Sequence, residues 1–80
     1  MSKITIYSTP TCHFCHMAKD FFNENKIAFE DYNVAENLEK RKEMLEKTGQ
    51  MGVPVIIIDN NQPIIGFNKP LILEILGIKE

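Results

Sequence analysis

The chain has 80 residues, 44 % of them hydrophobic and 25 % charged, a balance that fits a globular domain and excludes a disordered segment. That length holds one core, so residues 1–80 read as a single domain, burying only about 60 to 65 % of the unfolded surface on a thin margin of stability. A formal net charge of −2 gives no electrostatic case for nucleic acid or an anionic membrane as partner.

The one basic run, Lys40-Arg41-Lys42, is interleaved with Glu39, Glu43 and Glu46, the pattern of a solvated helix face rather than a phosphate-binding patch. Met1–Tyr7 lacks the apolar stretch of about 7 or more residues that a cleaved signal needs. No run approaches the ~18 apolar residues of a membrane span. The expectation is a cytoplasmic monomer whose thiols stay reduced unless chemistry oxidises them.

In chain order, Ile4 and Ile6 alternating with Lys3, Thr5 and Tyr7 predict a first strand. Pro10 breaks it, and a helix follows from about Cys12 to Asn25 with Phe14, Ala18, Phe21 and Phe22 on the inward stripe. Ile27, Phe29, Tyr32 and Val34 predict a second strand of imperfect alternation. A second helix is expected from about Glu36 to Lys47, with Asn33 and Glu36 as a capping box, Gly49 as its stop, and a sparse apolar stripe of Leu38, Met44 and Leu45. Val53–Ile58, interrupted only by Pro54, reads as a central strand buried on both faces. Asp59-Asn60-Asn61-Gln62 is a hairpin turn, and Pro63–Ile65 returns as an edge strand. Asn68 caps a last helix that has Pro70 in its first turn, Leu71, Ile72, Ile75 and Leu76 inward, and Gly77 at its end. The order β-α-β-α-β-β-α requires a parallel first pair and an antiparallel last pair. An α/β fold satisfies this, with one mixed four-stranded sheet and three helices on both its faces.

The chain's two cysteines, Cys12 and Cys15, share one turn between the first strand and the first helix. A bridge closing so short a loop removes little chain entropy, so stability does not explain the pair and chemistry does. Cys12 falls at or just before the helix start, where open N–H groups and the helix dipole favour a thiolate. Thiols so placed drop from a pKa of about 8.5 to roughly 3.5–7.5. Cys12 is then the exposed nucleophile and Cys15, one turn on, the more buried thiol that resolves the mixed disulfide. Thr11 and His13 flank the thiolate as tuning residues without fixed positive charge. Phe14 has two readings, a rim for substrate or a core residue of the helix.

The sequence Ser8-Thr9-Pro10-Thr11-Cys12-x-x-Cys15 between strand and helix, with Gly52-Val53-Pro54 ahead of a later strand, resembles the glutaredoxins of the thioredoxin superfamily. It is most similar to the short glutaredoxin-like group that also carries a stretch like Gly49-Gln50-Met51-Gly52-Val53-Pro54 and a Gly66-Phe67 pair near the last helix. The resemblance implies the thioredoxin fold and reduction of protein or small-molecule disulfides. It implies electrons from glutathione or a thioredoxin-reductase-type donor, and no bound cofactor or metal. It also implies a cis peptide before Pro54 and a Val53 backbone that pairs with substrate as an extra strand. Two departures stand out. His13-Phe14 replaces the common Pro-Tyr between the cysteines, a change that moves the redox potential, where about 30 mV corresponds to 1.4 kcal/mol. Gly66-Phe67-Asn68-Lys69 replaces the Gly-Gly-acidic stretch that binds glutathione. Asn68 and the helix start remain as carboxylate acceptors, while Phe67 obstructs close backbone approach.

Three rival readings use the same cysteines. Cys12-x-x-Cys15-His16 matches a c-type haem attachment signature, but a strand precedes it where a helix is usual. Zinc needs four protein ligands and the chain has no second pair, although an iron–sulfur cluster bridged between two chains stays open. A purely structural, inactive dithiol is the third. His13 and His16 read as exposed polar residues flanking the site.

Overall fold

In the structure, a computed structural model that describes residues 3–78, the other strands assemble around β1 (Ile4–Ser8). β1 pairs in parallel with β2 (Glu30–Asn33), Thr5 opposite Glu30 and Ser8 opposite Asn33. On its other side it pairs antiparallel with β3 (Val55–Ile58), Ile4 opposite Ile58 and Tyr7 opposite Val55. β4 (Ile64–Ile65) closes the far edge against β3, giving a four-stranded sheet of order β2-β1-β3-β4. With α1 (His13–Glu24), α2 (Leu38–Thr48) and α3 (Lys69–Leu76), the predicted succession β-α-β-α-β-β-α is complete.

Successive strand residues point to opposite faces, and the chain covers both. On one face Ile4, Ile6, Ile56, Ile58 and Ile64 pack against Ala18, Phe21 and Phe22 of α1 and Ile72 of α3. On the other, Tyr7 and Val55 pack with Val34 and Met44 of α2. β1 is therefore buried on both faces, although its alternation reads as half-buried. Tyr7 is polar enough to look like a surface position, but it lies fully inside because α2 roofs it.

Several local expectations shift, each for a physical reason. Phe14 is 57 % exposed and Cys15 takes the inward position in its place. The stripe of α1 runs Cys15, Ala18, Phe21, Phe22, and Phe14 falls just outside it. Ile27 and Phe29 pack on the core but lie before β2, because the Ile27 N–H is still bonded back to the Phe22 carbonyl at 2.9 Å, closing the end of α1. The cap of α2 is Asn37, whose side chain accepts the Lys40 N–H at 3.1 Å, while Asn33 accepts from Ala35 at 2.9 Å. The Asn33–Glu36 capping box is therefore replaced by an Asx turn followed by a separate cap. Only Met44 of the α2 stripe is buried. In α3, Leu71 faces outward and Leu73 joins the core instead. Gly49 and Gly77 end their helices at φ +71° and +69°, as the sequence predicts.

The α2 side of the sheet is fastened by a polar contact. The Tyr7 hydroxyl donates to Glu43 Oε1, and Lys40 and Lys47 reach the same carboxylate at 3.1 and 3.4 Å. The Tyr7 bond first, then the lysines, hold the Glu43 carboxyl at about 2, well below the ordinary value of 4.5. A depressed carboxyl pKa contributes stability that is fully present above the ordinary value and lost as pH falls towards the folded one. Glu43 therefore stabilises the fold above about pH 4.5, and the contribution fades between there and about pH 2. In urea unfolding as a function of pH, Tyr7→Phe is expected to be less stable than the parent near neutrality, with the difference shrinking across that window. A constant difference from neutrality to acid would show that the bond carries no linkage.

Candidate active site

β1 ends at Ser8, and the next four residues turn the chain into α1, so the dithiol sits at one end of the sheet. Cys12 is the N-cap of α1, with extended backbone (φ −86°, ψ 112°), and its sulfur accepts the Cys15 N–H at 3.1 Å. A cysteine thus fills the place usually taken by Ser, Thr, Asp or Asn. Negative charge forming on this sulfur meets one N–H directly and the positive end of the helix dipole behind it. Both cysteines are free thiols; Cys12 is half-buried and Cys15 is fully buried. Burial first, and then the hydrogen bond with Cys12, push the Cys15 thiol up to about 12. The Thr9 backbone and the Lys19 charge pull the other way without overcoming this. At neutral pH the Cys15 thiol therefore keeps its proton.

The surroundings hold this geometry in place. His16 Nε2 lies 2.8 Å from the Pro10 carbonyl, and the His16 N–H donates to the Cys12 carbonyl at 3.2 Å, so one residue ties the turn at two points. Buried Ser8 donates to Asp31 at 2.6 Å, and Lys19, one turn beyond Cys15, pairs with the same carboxylate at 3.1 Å. Thr11 and His13 are exposed. The His13 ring meets Phe14 edge-on, with centroids 5.7 Å apart.

Beside the dithiol lies an open groove of about 480 Å³ lined by Phe14, Val53, Pro54, Ile65, Gly66, Phe67, Asn68 and Pro70. Every residue that the sequence marks for substrate or glutathione (Val53, Pro54, Gly66, Phe67, Asn68) is on this wall, and Phe14 joins them as a rim. The Val53–Pro54 peptide is cis. The Pro54 carbonyl accepts the Gly66 N–H at 2.8 Å, joining the two loops that form the wall. Gly66 sits at φ +85°, a conformation that excludes most side chains. The Phe67 ring is half-buried against Phe21, with centroids 5.8 Å apart. Asn68 commits its side-chain oxygen to capping α3, accepting the Leu71 N–H at 3.3 Å, so that oxygen is already in use.

The sequence reading misses Ile65 and Pro70 as wall residues. The edge strand carries the signal for Ile65, since Ile64 points inward and its neighbour must point out. It also misses the links from His16 to Pro10 and from Ser8 through Asp31 to Lys19, which join residues by hydrogen bonds that no spacing encodes. Among the described residues no three His, Cys, Asp or Glu side chains gather as a metal site, and no helix is long and apolar enough to cross a membrane.

The family model for glutaredoxin matches residues 4–62, from β1 through the dithiol and the cis-proline to the hairpin turn. The chain belongs to the glutaredoxin family. Among its relatives, an uncharacterized glutaredoxin-like 8.6 kDa protein in the rubredoxin operon of Clostridium pasteurianum is 50 % identical over 66 residues, covering 82 % of this chain and 87 % of that one. Glutaredoxin 3 of Escherichia coli is 36 % identical over 59 residues, 74 % of this chain and 71 % of the relative. Among solved structures, the glutaredoxin-like NrdH-redoxin from Escherichia coli superposes with a TM-score of 0.77 at 30 % identity, covering 90 % of this chain and 92 % of that one. This glutaredoxin-family protein has the thioredoxin fold, and its Cys12-x-x-Cys15 pair stands where thiol–disulfide oxidoreductase chemistry needs it.

Unequal exposure sets the reactivity of the two thiols. Iodoacetamide added to the reduced native protein at pH 7 is expected to label Cys12 alone, with Cys15 labelled only after denaturation, as read by peptide mass mapping. Equal labelling of both in the native state would contradict the burial of Cys15.

Proposed function

We propose that this glutaredoxin-family protein reduces disulfides in proteins through Cys12 and Cys15, taking its electrons from a thioredoxin-reductase-type flavoenzyme in preference to glutathione. The observation that carries the reading is the half-buried Cys12 sulfur at the N-cap of α1, with a buried, protonated Cys15 directly behind it. In the first step the Cys12 thiolate attacks one sulfur of the substrate disulfide. A Cys12–substrate disulfide forms, and the other substrate sulfur leaves as a thiolate that takes up a proton. In the second, Cys15 loses its proton and attacks Cys12 Sγ, which breaks the mixed disulfide and releases the second substrate thiol. The substrate gains two electrons and two protons, the protein holds a Cys12–Cys15 disulfide, and the donor restores the dithiol. The reading needs no metal, flavin or nucleotide bound to this chain. It places the chain in the cytoplasm as a monomer.

The preference over glutathione is supported by the groove wall. Glutathione carries two carboxylates and an ammonium group, whereas the wall presents Phe14, Val53, Pro54, Ile65 and Phe67 with Asn68 as its polar side chain. Apolar walls suit a protein partner's apolar side chains better than three charges. The similarity to a glutaredoxin-like NrdH-redoxin described as having a thioredoxin-like activity profile points the same way.

Two measurements test this. Cys12→Ser is expected to abolish disulfide reduction, while Cys15→Ser accumulates mixed disulfides with substrate, visible on non-reducing gels. Full activity in Cys12→Ser sinks the mechanism. In an NADPH-coupled assay, thioredoxin reductase is expected to support turnover at least about tenfold better than glutathione with its reductase, the factor equivalent to 1.4 kcal/mol. The opposite order overturns the choice of donor.

A further inference from the structure

Gln50 grips Gly52, the residue just ahead of the Val53–Pro54 wall, by both of its peptide groups. Gln50 Oε1 accepts the Gly52 N–H, and Gln50 Nε2 donates to the Gly52 carbonyl at 3.2 Å. Thr48 anchors this clasp to α2. Its hydroxyl donates to the Met44 carbonyl at 2.8 Å and accepts the Gln50 N–H at 3.3 Å. A Cβ on Gly52 would lie 2.6 Å from Gln50 Oε1. Gly52 is not among the positive-φ glycines, so a side chain here meets the Gln50 carboxamide rather than a backbone restriction and would have to push it aside.

The clasp leaves very little backbone open. Gly52 has both its groups taken. Pro54 has no N–H, and its carbonyl is held by Gly66. Among the described residues, Val53 lies between them with neither its N–H nor its carbonyl partnered. One residue offering both groups makes the narrow two-bond pair of an antiparallel strand. A pairing slip of one residue turns every incoming side chain to the opposite face.

We propose that Gln50 is a positioning residue that sets substrate register: by occupying Gly52 it leaves Val53 as the single pairing position, and so selects extended polypeptide disulfides aligned on Cys12. This rests on the oxidoreductase reading above. Small disulfides, which have no backbone to align, depend on it far less.

The test compares insulin, as a polypeptide disulfide, with hydroxyethyl disulfide under one reductant. Gln50→Ala is expected to lower the ratio of kcat/KM for insulin over hydroxyethyl disulfide by about 3- to 10-fold, the range of one or two hydrogen bonds, with the loss in KM rather than kcat. Gly52→Ala, whose methyl group displaces the carboxamide, is expected to give the same loss, and the double variant no further loss. Two variants reach the same lesion separately, so misfolding of one, seen by thermal unfolding, leaves the other to decide. An unchanged ratio, a loss confined to kcat, or losses that add in the double variant overturn the assignment. A parent protein that reduces neither substrate overturns the oxidoreductase reading and the register assignment together.

Discussion

Every other element is placed by the double pairing of β1. Its hydrogen bonds run to β2 on one side and β3 on the other, and its side chains are covered on both faces. A strand so enclosed has no freedom of register, because a one-residue slip would turn Ile4 and Ile6 from the α1–α3 face to the α2 face, unpack both, and break both ladders. Its last residue, Ser8, is therefore fixed in space, and the short turn that follows delivers Cys12 to the same end of the sheet where Pro54 precedes β3. The dithiol and the groove wall come from distant parts of the chain. They meet because Tyr7 and Val55 are partners across one ladder.

Within that frame the two thiols are made different by a single helical turn. Cys15 faces the sheet with Ala18, Phe21 and Phe22, and Cys12 stays at the mouth of the helix. Most polar groups nearby hold the chain in place rather than line the groove. His16 fastens Pro10, Lys19 and Asp31 fasten Ser8, and Gln50 fastens Gly52. Apart from Asn68, the groove itself is left to apolar side chains. This division keeps the charges on the outside of the fold and leaves the wall largely apolar.

Much of this was legible in the sequence. The β-branched runs, the helix-ending Gly49 and Gly77, the capping Asn68 and the dithiol between strand and helix each have a local cause that a single sequence displays. The groove residues Val53, Pro54, Gly66, Phe67 and Asn68 were legible through resemblance, since nothing in their own spacing brings residues 53 and 66 together. What stayed hidden depended on packing or on side-chain hydrogen bonds. Tyr7 is buried because α2 closes over it. Phe14 is exposed because the helix begins one residue after Cys12, rotating Cys15 into the stripe. Asn37 displaces Asn33 as a cap because the chain needs one more turn to leave β2. The grip of Gln50 on Gly52 joins residues two apart and leaves no periodic trace.

The Cys15 N–H bonded to the Cys12 sulfur also has a thermodynamic side. A thiolate is a stronger acceptor for that N–H than a sulfur tied into a disulfide, so whenever Cys12 is ionised the start of α1 is better capped in the reduced protein than in the oxidised one. Any preference of the fold for its dithiol appears in the reduction potential, at about 30 mV for each 1.4 kcal/mol, and its sign makes the protein a weaker reductant. In the proposed cycle, the bond that favours charge on Cys12 therefore also limits how far its electrons can be driven. Nucleophilicity and reducing power are set against each other by one hydrogen bond 3.1 Å long.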